Sequence, residues 1–373
     1  MKNGWVYLNF YAKMKNVKVS VIIPVYDIPS EMLKDCAQSL LNQTLEDMEF
    51  IFINDNSPNT QNKSYLLALQ KEDPRVVFID LSQNKGVSNA RNEGLQKASG
   101  QYVGFVDADD TVENNMYEQM YLRAESEKAD FVICNTRCYI NDKDDFIETS
   151  NSPLSLNICT ENDLLYLFNN GGLGSWDKLF RTDLVRDIRF NVDISNYEDY
   201  LFNWQVFLLC KKVIFVGNVF YNARFRTNSA SRSSMSFQKC RGIFCALSHL
   251  SEISKSFYQD GFKKVGLLLY YKILFLGILN KNILVYIGEN VSKDSSSFFF
   301  DYIEKSLLWG YSYLPCYIRF ILKRHTMKCI CGHPSMYYYI LLRFCCLIEL
   351  SFISDSKNSR MNSLIKVLKE KLH

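Results

Sequence analysis

The chain has 373 residues, 47% of them apolar and 22% charged, enough for two or three domains with real cores. Forty-three basic against 40 acidic side chains give +3 overall, which excludes a disordered chain or a strongly basic nucleic-acid binder as descriptions of the whole. The total conceals an asymmetry. Residues 233–373 carry 19 basic and 9 acidic side chains, a net of +10, whereas residues 1–232 carry 24 and 31, a net of −7.

In chain order, residues 1–16 read as a leader. Trp5–Ala12 is apolar but short, and Lys13 follows with no small-residue cleavage site, which makes a poor signal peptide. Val21–Val25 is a continuous apolar run, the pattern of a strand buried on both faces. Met32, Leu33, Cys36, Ala37, Leu40 and Leu41 then fall at helical spacing. A strand is expected over Glu49–Ile53, a helix over Lys63–Lys71 and a strand over Val76–Asp80. A helix over Val87–Ala98, stopped by Ser99-Gly100, and a strand over Tyr102–Val106 complete the series. Such β-α alternation predicts a parallel sheet with helices on both faces, and ligands there sit outside the carboxyl ends of the strands.

Residues 113–232 are less regular. Helices are expected over Glu113–Glu127 and Asp199–Cys210, and strands over Phe131–Cys134, Val213–Val216 and Phe220–Phe225, with a polar loop through 141–152. Beyond Ser236 the chain turns to aromatic-rich helical stretches. No window reaches the ~18 uncharged apolar residues of a spanning helix, since Val265–Leu279 is interrupted by Lys272. The twelve cysteines are scattered, and Cys36, Cys210 and Cys245 lie in apolar or helical runs. Small hydrophobic thiols in a reducing, cytoplasmic compartment are expected.

Four segments carry chemistry. Pro24-Val25-Tyr26-Asp27 ends the first strand. Asn54-Asp55-Asn56-Ser57 ends the second, where a carboxylate either accepts bonds from a ligand or closes an Asx-turn. Asn84-Lys85-Gly86-Val87-Ser88-Asn89-Ala90-Arg91-Asn92 sets a turn glycine before a helix, with Arg91 one turn in. Phe105-Val106-Asp107-Ala108-Asp109-Asp110 crowds acids at the end of a buried strand. Like charges this close repel, and carboxylate oxygens suit Mg2+ or Mn2+ together with a ligand's phosphates. In an extended chain Asp107 and Asp109 point one way and Asp110 another.

In this order the four segments resemble the family 2 glycosyltransferases of GT-A fold, over about residues 17–232. Ser175-Trp176-Asp177-Lys178-Leu179-Phe180-Arg181 is similar to the family's Trp-x-Lys-Leu-Phe segment, Glu198-Asp199 to its Glu-Asp motif, and Tyr221–Ser231 to the basic segment over the donor. The resemblance implies an α/β GT-A domain whose residues 17–110 bind nucleotide-sugar and 111–232 bind acceptor, followed by a helical region over 233–373. It implies that Asp55 and Arg91 hold the base, most often uracil, beside Pro24 and Tyr26. Asp107 would contact the ribose side and, with Asp109, the divalent metal. Asp199 would be the general base, Glu198 would shape the acceptor site, and Arg224 or Arg226 would neutralise the departing diphosphate. Without the resemblance, Glu198 and Asp199 read first as two acids favouring a helix N-terminus. Asn54 stands where a second acid is common, Asn56 where a Gly is, and Asp27 where an Asn is; Asn56 tolerates the left-handed conformation.

The implied activity is metal-dependent, inverting transfer of one sugar from a UDP-sugar to a glycan or lipid-linked acceptor in surface-polysaccharide assembly. A catalytically silent GT-A scaffold subunit is the alternative. Residues 306–348 carry basic side chains but no acid, interleaved with Trp309, Tyr311, Tyr313 and Tyr317. They are either an interfacial segment on an anionic membrane or a helical core with solvated cations, and a homodimer through these helices is a further expectation. His325, Cys329, Cys331 and His333 are spaced too tightly for a finger-like zinc site.

Overall fold

The computed structural model describes residues 17–140, 145–172, 174–194, 196–226, 236–261 and 266. These fall in two units, one within Met1–Val192 and Glu198–Arg232, the other within Asp193–Tyr197 and Ser233–His373. The leader, the segment 306–348 and the His325–His333 cluster lie outside the described residues.

The first unit is built on one mixed sheet in the order β3-β2-β1-β4-β9-β6-β10-β5. β1 (Val19–Val25), β2 (Met48–Asn54), β3 (Val76–Asp80) and β4 (Tyr102–Phe105) pair in parallel. The helices between them are α1 (Ser30–Leu41), α2 (Thr60–Glu72) and α3 (Val87–Lys97). This is the alternation expected of the first half. α2 starts earlier than its apolar spacing because Asn59 caps it, the side-chain oxygen accepting from the amides of Gln61 and Asn62.

The two faces of β1 explain the helices. Val19, Val21, Ile23 and Val25 share a core with Leu33, Cys36, Ala37 and Leu40 of α1. Ile22 faces α3, whose Gly94 comes so close that a Cβ there would collide with Ile22 Cγ2. On that side Phe105 packs edge-on against Phe180, Phe190 and Phe202, and Phe190 stacks on Phe202 with centroids 4.1 Å apart. Burying each such ring contributes roughly 2–3 kcal/mol.

The second half departs from the sequence pattern at several points. β5 (Thr111–Val112) pairs antiparallel with β10, so α4 starts at Met116 (Met116–Glu127), not Glu113. β6 runs over Phe131–Tyr139, longer than expected, because β7 (Phe146–Glu148) pairs with its far end, inside the segment read as a polar loop. β8 (Leu154–Asn157) pairs antiparallel with β10. α5 (Glu161–Asn170) carries a capping box of Thr160 and Asp163, a signal that was readable in the sequence. β9 (Lys178–Arg181) lies between β4 and β6, antiparallel to both, and the short α6 (Thr182–Val185) follows it. α7 is Glu198–Leu209. The two strands expected near 213–225 are one, β10 (Lys212–Ala223), with a register irregularity between Phe215 and Val219. In the second unit α8 (Phe237–Gln259) is capped by Ser236, whose hydroxyl accepts from the Lys239 amide. No described helix is long and apolar enough to cross a membrane.

Candidate active site

The carboxyl ends of β1, β2 and β4 and the start of α7 bring the singled-out residues to one rim. Two non-glycine residues there take left-handed backbone, Asp27 (φ 48°) after β1 and Asn56 (φ 54°) after β2. Each takes one of the short polar side chains that tolerate this region. Pro24 lies within β1 opposite Ile53, and Tyr26 is half exposed at its end.

Asp55 is buried, and its two oxygens accept the amides of Lys85 (2.9 Å) and Gly86 (2.7 Å). The carboxylate therefore braces the turn that opens α3. Gly86 makes that turn possible with φ +86°, a backbone that a side chain would strain even in open space.

Arg91, on the buried face of α3, is the hub of the site. Its Nη2 donates to Asp107 Oδ1 at 3.1 Å, and its Nη1 donates to Glu198 Oε1 at 3.1 Å and Asp199 Oδ1 at 2.7 Å. The guanidinium also lies 5.3 Å from the Phe190 ring centroid. One buried cation thus serves three acids, leaving an excess of negative charge in a poorly solvated place. Burial pushes the Asp199 carboxyl up to about 7, with Glu198 and Asp107 adding to it against the opposing pull of Arg91. A carboxylate poised there is suited to accept a proton near neutral pH. The Ser175 hydroxyl donates to the same Asp199 oxygen at 3.1 Å.

The acids at the end of β4 form a turn, not an extended run, because the Asp110 amide bonds back to the Asp107 carbonyl at 3.0 Å and the strand stops at Phe105. The alternation expected of an extended chain therefore does not apply, and the turn itself sends Asp107 to Arg91, Asp109 to Arg226 and Asp110 to β10. Asp110 accepts from the Tyr221 hydroxyl (2.7 Å) and the Arg224 amide (2.7 Å). Tyr221 in turn accepts from the Asp107 amide at 3.2 Å, so β10 fixes the acidic turn from below. Tyr221 also packs its ring on Trp176, with centroids 4.7 Å apart. Sequence reading placed Tyr221 and Ser175 in motifs and gave neither a role.

Arg226 Nε lies 2.9 Å from Asp109 Oδ2, and its Nη1 donates to the Asp27 carbonyl at 3.2 Å. Arg224 turns instead to Asp35 of α1, at 2.8 Å. Of the two arginines singled out in the sequence, then, Arg226 reaches the acidic turn with its guanidinium, and Arg224 reaches it only through its amide. Burial holds the Asp109 carboxyl above the usual carboxylate range, and repulsion from Asp107 adds to it. A divalent cation would relieve that strain, and the two carboxylates are hard oxygen donors. Among the described residues no group of three or more His, Cys, Asp or Glu side chains could by itself hold a metal ion. An ion at Asp107 and Asp109 would therefore complete its shell with ligand oxygens and water.

A mixed sheet, parallel in its leading strands, that gathers acids at its carboxyl rim is the architecture the GT-A resemblance implied. The Glycosyl transferase family 2 model matches residues 20–189. Over 274 residues the chain is 33% identical to the cholesterol galactosyltransferase of Borreliella burgdorferi, covering 69% of this chain and 75% of that one. It is 29% identical over 226 residues to the glycosyltransferase GlyA of Streptococcus pneumoniae, covering 58% of this chain but only 32% of GlyA. In fold it is similar to residues 1–349 of Staphylococcus aureus TarS, solved in complex with UDP-GlcNAc, with a TM-score of 0.66 at 17% identity over 87% of this chain and 90% of that one. The chain belongs to glycosyl transferase family 2, and is a glycosyltransferase.

Proposed function

We propose that the chain transfers a single sugar from a nucleotide-sugar, a UDP-sugar foremost, to a glycan or lipid-linked acceptor in cell-surface polysaccharide biosynthesis, with inversion at the anomeric carbon. The observation that carries this reading is the gathering of Asp107, Glu198 and Asp199 around Arg91 at the rim where the strands end. Displacing a nucleoside diphosphate builds negative charge on the leaving phosphate, which a divalent ion at Asp107 and Asp109 and the Arg226 guanidinium would neutralise. On the other side of the sugar the acceptor hydroxyl loses its proton to Asp199, with Glu198 beside it to shape the acceptor site. One base and one in-line displacement invert the configuration. Arg91 keeps Asp199 ionised enough to act and ties it to the donor side. Asp55 reaches the nucleotide base through its remaining lone pairs while it braces the Gly86 turn.

The test is a panel of UDP-, GDP- and dTDP-sugars offered to the purified protein with and without Mn2+, with binding read by calorimetry and transfer by product analysis. Asp199→Asn is expected to lose ~10²–10⁴-fold in transfer while binding the donor as the parent does. Failure of every donor to bind, with or without Mn2+, overturns the reading. Parental turnover by Asp199→Asn removes the base assignment.

A further inference from the structure

Behind Asp199 lies a buried device that the transfer reaction does not explain. Lys178, in β9, is fully buried. Its ammonium donates to the Gly174 carbonyl at 2.6 Å and to Asp177 Oδ1 at 2.6 Å. The same carbonyl accepts from Asn203 Nδ2 of α7 at 2.9 Å. Gly172 nearby has φ +68°, and a Cβ on it would stand 3.2 Å from Asp177 Oδ2 and 3.4 Å from Lys178 Nζ, so this turn is folded tightly against the ion pair. Asp177 is anchored in turn, its carbonyl accepting from the Cys134 amide of β6 at 3.0 Å. The residue after Gly174 is Ser175, fully buried, whose hydroxyl meets Asp199.

A buried lysine is costly, and a fold that keeps one uses its charge. Here it grips a backbone carbonyl adjacent to the residue that touches the proposed base. We propose that Lys178 and Ser175 are positioning residues for the transfer step: the Lys178 ammonium clamps the Gly174 carbonyl, and the clamp aims the Ser175 hydroxyl at Asp199 and fixes the rotation of its carboxylate. The inference rests on Asp199 acting as base. Three other charged groups face that carboxylate, Arg91 from α3, Asp107 from the turn after β4 and Glu198 from α7, and none of them changes in the variants below.

The experiment follows kcat and donor KM against pH for the full chain. Ser175→Ala removes a donor to the ionised carboxylate, so the acid limb moves to higher pH. Transfer below that limb falls about 3–10-fold, with recovery toward the parental rate in alkali and an unchanged donor KM. Asp177→Asn with Lys178→Met removes both charges of the buried pair together, which is tolerated far better than stranding one of them. This pair is expected to displace the limb in the same direction. Adding Ser175→Ala to it changes little, since Lys178 acts through Ser175. A Ser175→Ala profile that superimposes on the parent overturns the proposal even if the double variant fails to fold, as does full additivity of the two effects. Asp199→Asn run alongside separates the cases. If it transfers at the parental rate the base assignment itself has failed, and if it is inactive while Ser175→Ala is unaltered only the positioning role has failed.

Discussion

Replacing Asp199 by Asn should make the protein more stable while it slows transfer by ~10²–10⁴-fold. The carboxyl is raised from 3.8 to about 7 in the folded chain. Between those values the folded state holds a proton that the unfolded state has released, so stability declines as pH rises through this window and levels off above about 7. Three units at ~1.4 kcal/mol each set a ceiling of about 4 kcal/mol for ionising this group in place. The side chain keeps 19% of its surface exposed, and that solvation lowers the figure to about 2–3 kcal/mol. Asparagine has nearly the same shape and retains an oxygen for Arg91 and Ser175, but never ionises. For a unit of this size each kcal/mol moves the melting temperature by about 2–4 °C. Asp199→Asn should therefore melt roughly 4–12 °C above the parent at about pH 8, with the gap closing toward about pH 4. Scanning calorimetry across that range is the assay. Equal melting temperatures in alkali, or a gap that does not vary with pH, would refute the view that three acids crowd one guanidinium at a net cost.

Other substitutions probe the remaining parts of the site. Gly86→Ala forces a side chain onto φ +86° and should cost about 1–2 kcal/mol by chemical denaturation, with weakened donor binding because the turn is held by Asp55. Arg91→Lys keeps the charge but gives up the planar fork that spans Asp107, Glu198 and Asp199, so kcat should fall at least about tenfold while the far-ultraviolet spectrum is unaltered. Asp109→Asn should weaken Mn2+ binding about tenfold or more, measured by electron paramagnetic resonance in the presence of UDP. Mn2+ affinity equal to the parent's would remove Asp109 from the metal site.

The first half of the fold was legible because its strands are buried on both faces and its helices carry one apolar stripe. Val19–Val25 and Ser30–Leu41 display those two periods without interference. The second half was less legible because its strands are short and their partners are distant in sequence. β5 has two residues and β9 four, and both pair with strands far away in the sequence. The irregularity in β10 split one strand into two apolar runs. Within the site, residue types and their order pointed to the acids. They could not reveal that Arg91 turns toward Glu198 and Asp199, or that Tyr221 links Asp107 to Asp110, since side-chain direction is set by packing. The burial of Lys178 was hidden for the same reason: the sequence placed it in a motif, and only the strand it occupies carries it inside beside Asp177.

The partners of Arg91 come from places far apart along the chain, 16 residues away for Asp107 but 107 and 108 for Glu198 and Asp199. The nearer contact needs only α3 and the turn after β4, whereas the farther pair needs α7, whose Phe202 stacks on Phe190. A nascent chain that has finished only its leading strands thus owns a socket without a plug. The proposed base is therefore aligned with the donor-side acid only where both distant segments have docked on one guanidinium.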